Sequence, residues 1–359
     1  MTLHLHGIGT ALPKVAATQL RARELASEIS CSDERERTLL RALYRKSGID
    51  TRHSVILEQG ADGCVEQTFL QKPTSSEDRG PTTRQRMQRY ARESVPLARS
   101  ACQEALARAQ CEANEIDQLV TVSCSGFFAP GIDSLLIGEL GLRPTVQRTH
   151  VGFMGCHGAL NGLRVANGLA ALPDTRRVLI CAVELCSLHF QYGFDPQHMV
   201  ANSIFADGAA ALVGGTDRQP WSLQASGSCV LPDSRDAMHW EIDDHGFSMG
   251  LSAAVPSLIE NSLRPWIESW LDHNGLSVGD VASWAVHPGG VRILSAVEAS
   301  LELPADALTE SRAVLSEHGN MSSPTILFIL ERLVRARAPR PCVALGFGPG
   351  LVVEAALFR

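Results

Sequence analysis

No apolar run in this chain approaches the ~18 residues that a membrane-crossing helix needs, so no bilayer insertion is expected. The opening residues Met1-Thr2-Leu3-His4-Leu5-His6-Gly7 lack the basic start and long apolar core of a secretory signal. Basic blocks are absent too, and a net charge of −7 argues against a nucleic-acid surface. His4, His6, His198 and His239 show no ligand spacing, and Cys181 and Cys186 are too far apart for a Cys-x-x-Cys pair, so no metal is expected. Ten cysteines in 359 residues, several inside apolar runs such as Cys102, Cys181 and Cys342, read as reduced core thiols of a cytoplasmic protein. What is present is 45% hydrophobic and 20% charged residues, enough for one large core or two fused modules, with nothing that suggests disorder.

Strand-like and helical segments alternate along the chain. Residues 3–9 read as a strand, 18–29 and 34–46 as helices, and 61–81, rich in Gly, Pro, Ser and charge, as a surface excursion. A long helix over 83–108, a strand over 118–123, a helix over 132–139 and a short strand near Val146 follow. A helical run over 156–171 and strands over 177–184 and 209–214 close this half. From Trp221 the rhythm resumes, with strands within 221–230, helices over 256–273, 291–300 and 324–337, and strands over 281–286, 341–346 and 351–358. The expectation is a layered α/β protein of two units, residues 1–220 and 221–359.

Chemistry concentrates in four segments. Cys156, in Gly155-Cys156-His157-Gly158, opens a helical run, where unpaired N–H groups favour a thiolate. His287-Pro288-Gly289-Gly290 follows a buried-strand pattern, and strand ends are where layered α/β folds carry functional groups. Gly319-Asn320-Met321-Ser322-Ser323-Pro324 presents an amide just before an apolar helix. Gly346-Phe347-Gly348-Pro349-Gly350 joins two strand-like runs and permits close backbone approach. Each also has a bland reading: a core thiol, a strand-end turn, a capping asparagine, a hairpin loop.

In this order and spacing the four segments resemble the type III polyketide synthases, the chalcone-synthase-like family, and the similarity runs from Gly7 to the last strand. The resemblance implies a thiolase-like fold of duplicated βα modules in five layers, αβαβα, and a cytoplasmic homodimer. It implies malonyl-CoA and an acyl-CoA starter as substrates, with no cofactor. Cys156 is then the nucleophile that carries the acyl chain. His287 and Asn320 would donate hydrogen bonds to the enolate left by decarboxylation, and a protonated His287 would hold the thiolate before loading. The backbone N–H of Cys156 would serve the later oxyanion, supported by the loop Gly346 to Gly350.

The resemblance also assigns cavity positions. Phe205, a core residue on sequence alone, matches a gatekeeping phenylalanine, and Met249 stands where a second, usually aromatic, gatekeeper falls. Cys124, Cys186 and His189 replace threonines of the plant enzymes. Trp240 replaces a space-keeping glycine and should narrow the pocket, whereas Ala129 replaces a methionine that crosses the dimer interface and should open it. A redistributed cavity suggests an aliphatic acyl-CoA starter, or malonyl-CoA itself. Lys46 and Arg52 are the cations expected to meet CoA phosphates, with Gly289 and Gly290 against the pantetheine. His157 is read as a packing residue. Two alternatives stay open: a single-round β-ketoacyl synthase without cyclisation, and a silent acyl-CoA-binding protein.

Overall fold

The computed structural model describes residues 2–61 and 63–359. Among them, nine strands hydrogen-bond into one sheet, in the order Ser283–Val286, Cys342–Gly348, Val352–Phe358, Ser222–Val230, Leu3–Ala11, Asp207–Gly215, Arg177–Leu185, Gln118–Ser123 and Gln147–Gly152. The two halves of this sheet repeat one pattern. Leu3–Ala11 pairs antiparallel with Asp207–Gly215, which pairs antiparallel with Arg177–Leu185, which pairs parallel with Gln118–Ser123. Ser222–Val230, Val352–Phe358, Cys342–Gly348 and Ser283–Val286 repeat that succession: antiparallel, antiparallel, parallel. The halves meet through Leu3 opposite Leu223 and His4 opposite Ser222.

Period-two alternation within the strands explains the layering. In Arg177–Leu185, Val178, Ile180 and Ala182 point into a central core, while Leu179, Cys181 and Val183 point the other way, against helix Thr83–Ala109. In Cys342–Gly348, Cys342 and Ala344 join the same central core, and Val343 and Leu345 face helices Val255–His273 and Val291–Leu301. Helices Gly158–Leu169 and Thr325–Arg335 supply Leu160, Leu163, Ile326 and Ile329 to that centre. Strands buried on both faces therefore lie between three helical layers, the αβαβα order expected.

Some elements depart from expectation. Residues 61–81 are not wholly a surface excursion: Val65–Gln67 pairs with Leu57–Gln59, and Leu70 is buried. Helix Pro196–Ile204, capped by Asp195, and the hairpin Met238–Asp243 with Gly246–Leu251 lie in segments too short or too mixed in polarity to stand out. No helix among the described residues is long and apolar enough to cross a membrane.

Candidate active site

Cys156 sits in a single 3-10 turn, Gly155–His157, and the α-helix proper begins at Gly158. The sulfur thus lies just ahead of the helix and not on its first turn, which corrects the expected start. Phe153 (φ 60°) and Gly155 (φ 73°) turn the chain out of strand Gln147–Gly152, and Pro349 explains the glycine: a Cβ on Gly155 would stand 2.5 Å from its Cδ. His157 is buried with its Nδ1 2.7 Å from Asn161 Oδ1, and a Cβ on Gly348 would meet its ring at 2.3 Å. It packs the glycine-rich loop onto the Cys156 turn.

His287 follows strand Ser283–Val286, and its backbone N–H donates to Leu345 O at 2.8 Å, one residue before the Gly346 that abuts His157. Its side chain is 1% exposed, and neither ring nitrogen has a hydrogen-bond partner. Asn320 leaves helix Thr309–His318 through Gly319 (φ 72°) and bridges to the Phe205 segment, donating to Ile204 O and accepting from Ala206 N, both at 2.9 Å. The Ser322 N–H donates to Asn320 Oδ1 at 2.8 Å, which leaves the amide N–H groups free for the sulfur. Ser322 takes φ 58°, an unusual backbone for a non-glycine residue, and such strain collects at functional sites.

Electrostatics run against one expectation. Burial pushes the Cys156 thiol up to about 11, against the pull of hydrogen bonds from Ser322, Asn320 and its own backbone. Burial, and then the neighbouring His157, push His287 down to about 3. These surroundings oppose an imidazolium–thiolate pair. They leave His287 a neutral imidazole with an N–H to donate, and Cys156 a thiol held by an amide and a hydroxyl.

One cavity of about 1120 Å³, including its open mouth, is lined by Cys156, Cys124, Cys186, His189, Phe205, Trp240 and Met249. Trp240 and Met249 stand opposite each other in the hairpin. The Trp240 indole donates to Cys124 O at 2.8 Å and meets His189 edge-on at 5.5 Å, while His189 stacks on Phe247 at 4.1 Å. His189 is held as a neutral tautomer: the Phe247 N–H donates to its Nδ1 at 2.9 Å, and its Nε2 lies 2.6 Å from Ser125 O. Burial pushes its pKa down to about 3. The Cys124 and Cys186 thiols are pushed well up, first by burial and then by Glu184. Ala129 is exposed and lies outside this lining, so within one chain it opens no part of the cavity.

Lys46 stands exposed at the end of helix Glu34–Lys46. A Cβ on Gly48 would press on Val291 at 2.3 Å, so the turn two residues after Lys46 packs against the start of helix Val291–Leu301. Arg52 is a correction. It is buried, donates to Asn202 O at 2.8 Å and Phe205 O at 2.9 Å, and lies over the Tyr44 ring at 5.4 Å. Its charge braces the Phe205 segment from within and does not stand out at the rim.

Glu184 went unassigned on sequence, although an acid ending the apolar run Val178 to Val183 was a signal. It is fully buried and accepts from the backbones of Cys124 (3.0 Å) and Ser125 (2.9 Å) and from the hydroxyls of Ser125 (2.5 Å) and Ser323 (2.6 Å). One carboxylate thus ties the Cys124 loop to the Asn320 segment. Ser322 and Phe247 were missed as well, and neither carries a local sequence mark.

Residues 2–218 match the N-terminal domain of the chalcone and stilbene synthases, and residues 222–359 match their C-terminal domain. The chain is 33% identical to the Mycobacterium tuberculosis protein named alpha-pyrone synthesis polyketide synthase-like Pks18, over 99% of this chain and 90% of that one. It is also 33% identical to the 1,3,6,8-tetrahydroxynaphthalene synthase of Streptomyces peucetius, over 98% of this chain and 92% of that one. The solved structure of PKS-I from the brown alga Ectocarpus siliculosus superposes with a TM-score of 0.90 at 29% identity, covering 100% of this chain and 98% of that chain.

Proposed function

Because the chain belongs to the chalcone and stilbene synthase family of type III polyketide synthases, which are condensing acyltransferases, we propose that Cys156 carries the acyl chain while His287 and Asn320 handle the malonyl unit. Thioester exchange joins the starter acyl group to the Cys156 sulfur, and its proton passes through neutral His287 to the departing CoA thiolate. Malonyl-CoA then loses carbon dioxide. The electron pair left behind forms an enolate, whose oxygen takes hydrogen bonds from the His287 imidazole and the Asn320 amide. Attack of the enolate carbon on the acyl thioester expels the sulfur and leaves a β-ketoacyl-CoA, which reloads or cyclises in the same cavity.

The observation that carries this reading is that Asn320, its oxygen already engaged, and Ser322 hold the Cys156 thiol, while buried His287, beside His157, has no ring partner. Phe205, braced by Arg52, and Met249 act as gatekeepers between the CoA rim and the cavity. Lys46 meets a CoA phosphate, with Gly289 and Gly290 against the pantetheine. No cofactor is used. The enzyme works in the cytoplasm as a homodimer, a reading supported by the exposed edge strand Gln147–Gly152 and by Phe127, Phe153 and Met154, which are 53%, 39% and 43% exposed. Incubation with malonyl-CoA and a panel of acyl-CoA starters, read by mass spectrometry, should give extended, cyclised products that the Cys156→Ala variant does not make. Products stopped at one extension would point to a single-round synthase instead.

A further inference from the structure

The cavity does not end at Cys156, Trp240 and Met249. Its lining runs on past Cys186 and Phe190 to an apolar end, the second chamber, formed by Ala22, Leu25, Ala26 and Ile29 of helix Gln19–Ser30 together with Ile56 and Leu70. Those four helix positions, spaced i, i+3, i+4 and i+7, form one face, about 10 Å long at 1.5 Å per residue. Nothing polar on that face points inward. The polar side chains bordering the chamber are spent on the protein itself. Ser54 donates to Ser187 at 2.6 Å, Gln67 folds back on Leu70, the Asn202 side chain bonds the Gln191 backbone, and the Gln191 amide donates to His189 O and Phe247 O.

A wall so poor in free donors and acceptors disfavours a hydroxylated or aromatic-phenol starter, because such groups would be buried without partners. On the other side of the nucleophile, the stack of Trp240, His189 and Phe247 walls the cavity toward the hairpin. We propose, resting on the polyketide synthase reading above, that this second chamber holds the tail of a medium- to long-chain straight fatty acyl starter whose carboxyl carbon is bound to Cys156. The 3-10 turn Cys186–His189 is then the wall that the chain passes: His189 packs against the aromatic stack on one side, while Phe190 packs with Ala26 and Met199 on the other. Ketide units grow in the part of the cavity beside Trp240 and Met249.

The test is the ratio of kcat/KM for tetradecanoyl-CoA to that for acetyl-CoA, each with malonyl-CoA. Burial of each methylene should raise kcat/KM roughly three- to fourfold until the chamber is full, so the wild-type ratio should be well above ten. Ala26→Phe, which blocks the chamber, should lower the ratio at least tenfold and move the optimum toward hexanoyl-CoA. Leu25→Trp, from a half-buried position, should act in the same direction, and because each ratio is measured on one preparation, partial misfolding cancels. A wild-type ratio below one, or ratios unchanged in both variants, would overturn the proposal. Condensation with acetyl-CoA alone would refute the chamber and leave the polyketide synthase reading intact, whereas no condensation with any starter would refute that reading itself.

Discussion

At the scale of single residues, the site is built from groups whose hydrogen-bonding roles are fixed before any substrate arrives. His189 shows this most plainly, since a backbone donor on Nδ1 and a backbone acceptor beside Nε2 allow only one neutral tautomer. Its folded pKa of about 3 lies below the ordinary value of 6.5, so between those limits the unfolded chain takes up a proton that the folded chain refuses. Stability from this group is therefore present above pH 6.5 and is lost as the pH falls. Near pH 5 the loss should reach about 2 kcal/mol, and a His189→Gln variant should show a shallower fall of denaturation midpoint between pH 7 and 5 by that amount. Identical pH dependence in the two proteins would contradict the locked tautomer. Cys156, His287 and Asn320 were legible at this scale because each carries a local mark: glycine flanks, a strand end, a polar hexapeptide before a helix. Arg52 was not, because beside Lys46 it reads as one more solvated charge, and its partners Asn202 and Phe205 lie some 150 residues away.

At the scale of elements, three segments meet on one carboxylate. Glu184, at the end of strand Arg177–Leu185, holds the Cys124–Ser125 turn and the Ser323 hydroxyl beside the start of helix Thr325–Arg335. Glu184→Ala strands two buried backbone N–H groups, each costing about 1–3 kcal/mol. The melting temperature should drop by roughly 5 to 10 °C, with Glu184→Gln intermediate because one acceptor remains. A melting temperature unchanged to within about 1 °C would show that the three segments are held by other contacts. The strands and long helices were readable from period-two and helical apolar spacing, including the exact bounds of Gln118–Ser123 and Glu34–Lys46. The second chamber was not. Ala22, Leu25, Ala26 and Ile29 form an ordinary apolar stripe, and only the distant segment around Ile56 and Leu70 turns it into a wall.

At the scale of the whole molecule, the repeated antiparallel, antiparallel, parallel succession folds two half-sheets around a shared helical layer, and Cys156 of one half meets the Asn320 and Ser322 side chains of the other. The edge strand Gln147–Gly152 is free along one side, and Phe153 beside it is 39% exposed while its ring lies 5.7 Å from Phe247. Phe153→Asp suits the positive φ yet places a charge on the apolar patch, so sedimentation should show the variant as a monomer where the parent is a dimer. A parent that sediments as a monomer would instead leave this patch without a partner copy. Duplication was legible only as a rhythm of elements, because the halves share pairing order and not sequence. The convergence itself is tested most directly by carbon dioxide release from carboxyl-labelled malonyl-CoA by the Asn320→Ala variant. Loss of one of two donors to the enolate predicts a fall of about 10²-fold or more, with Cys156 still acylated by the starter. Release within about twofold of the parent would mean that this amide does not face the reacting thioester.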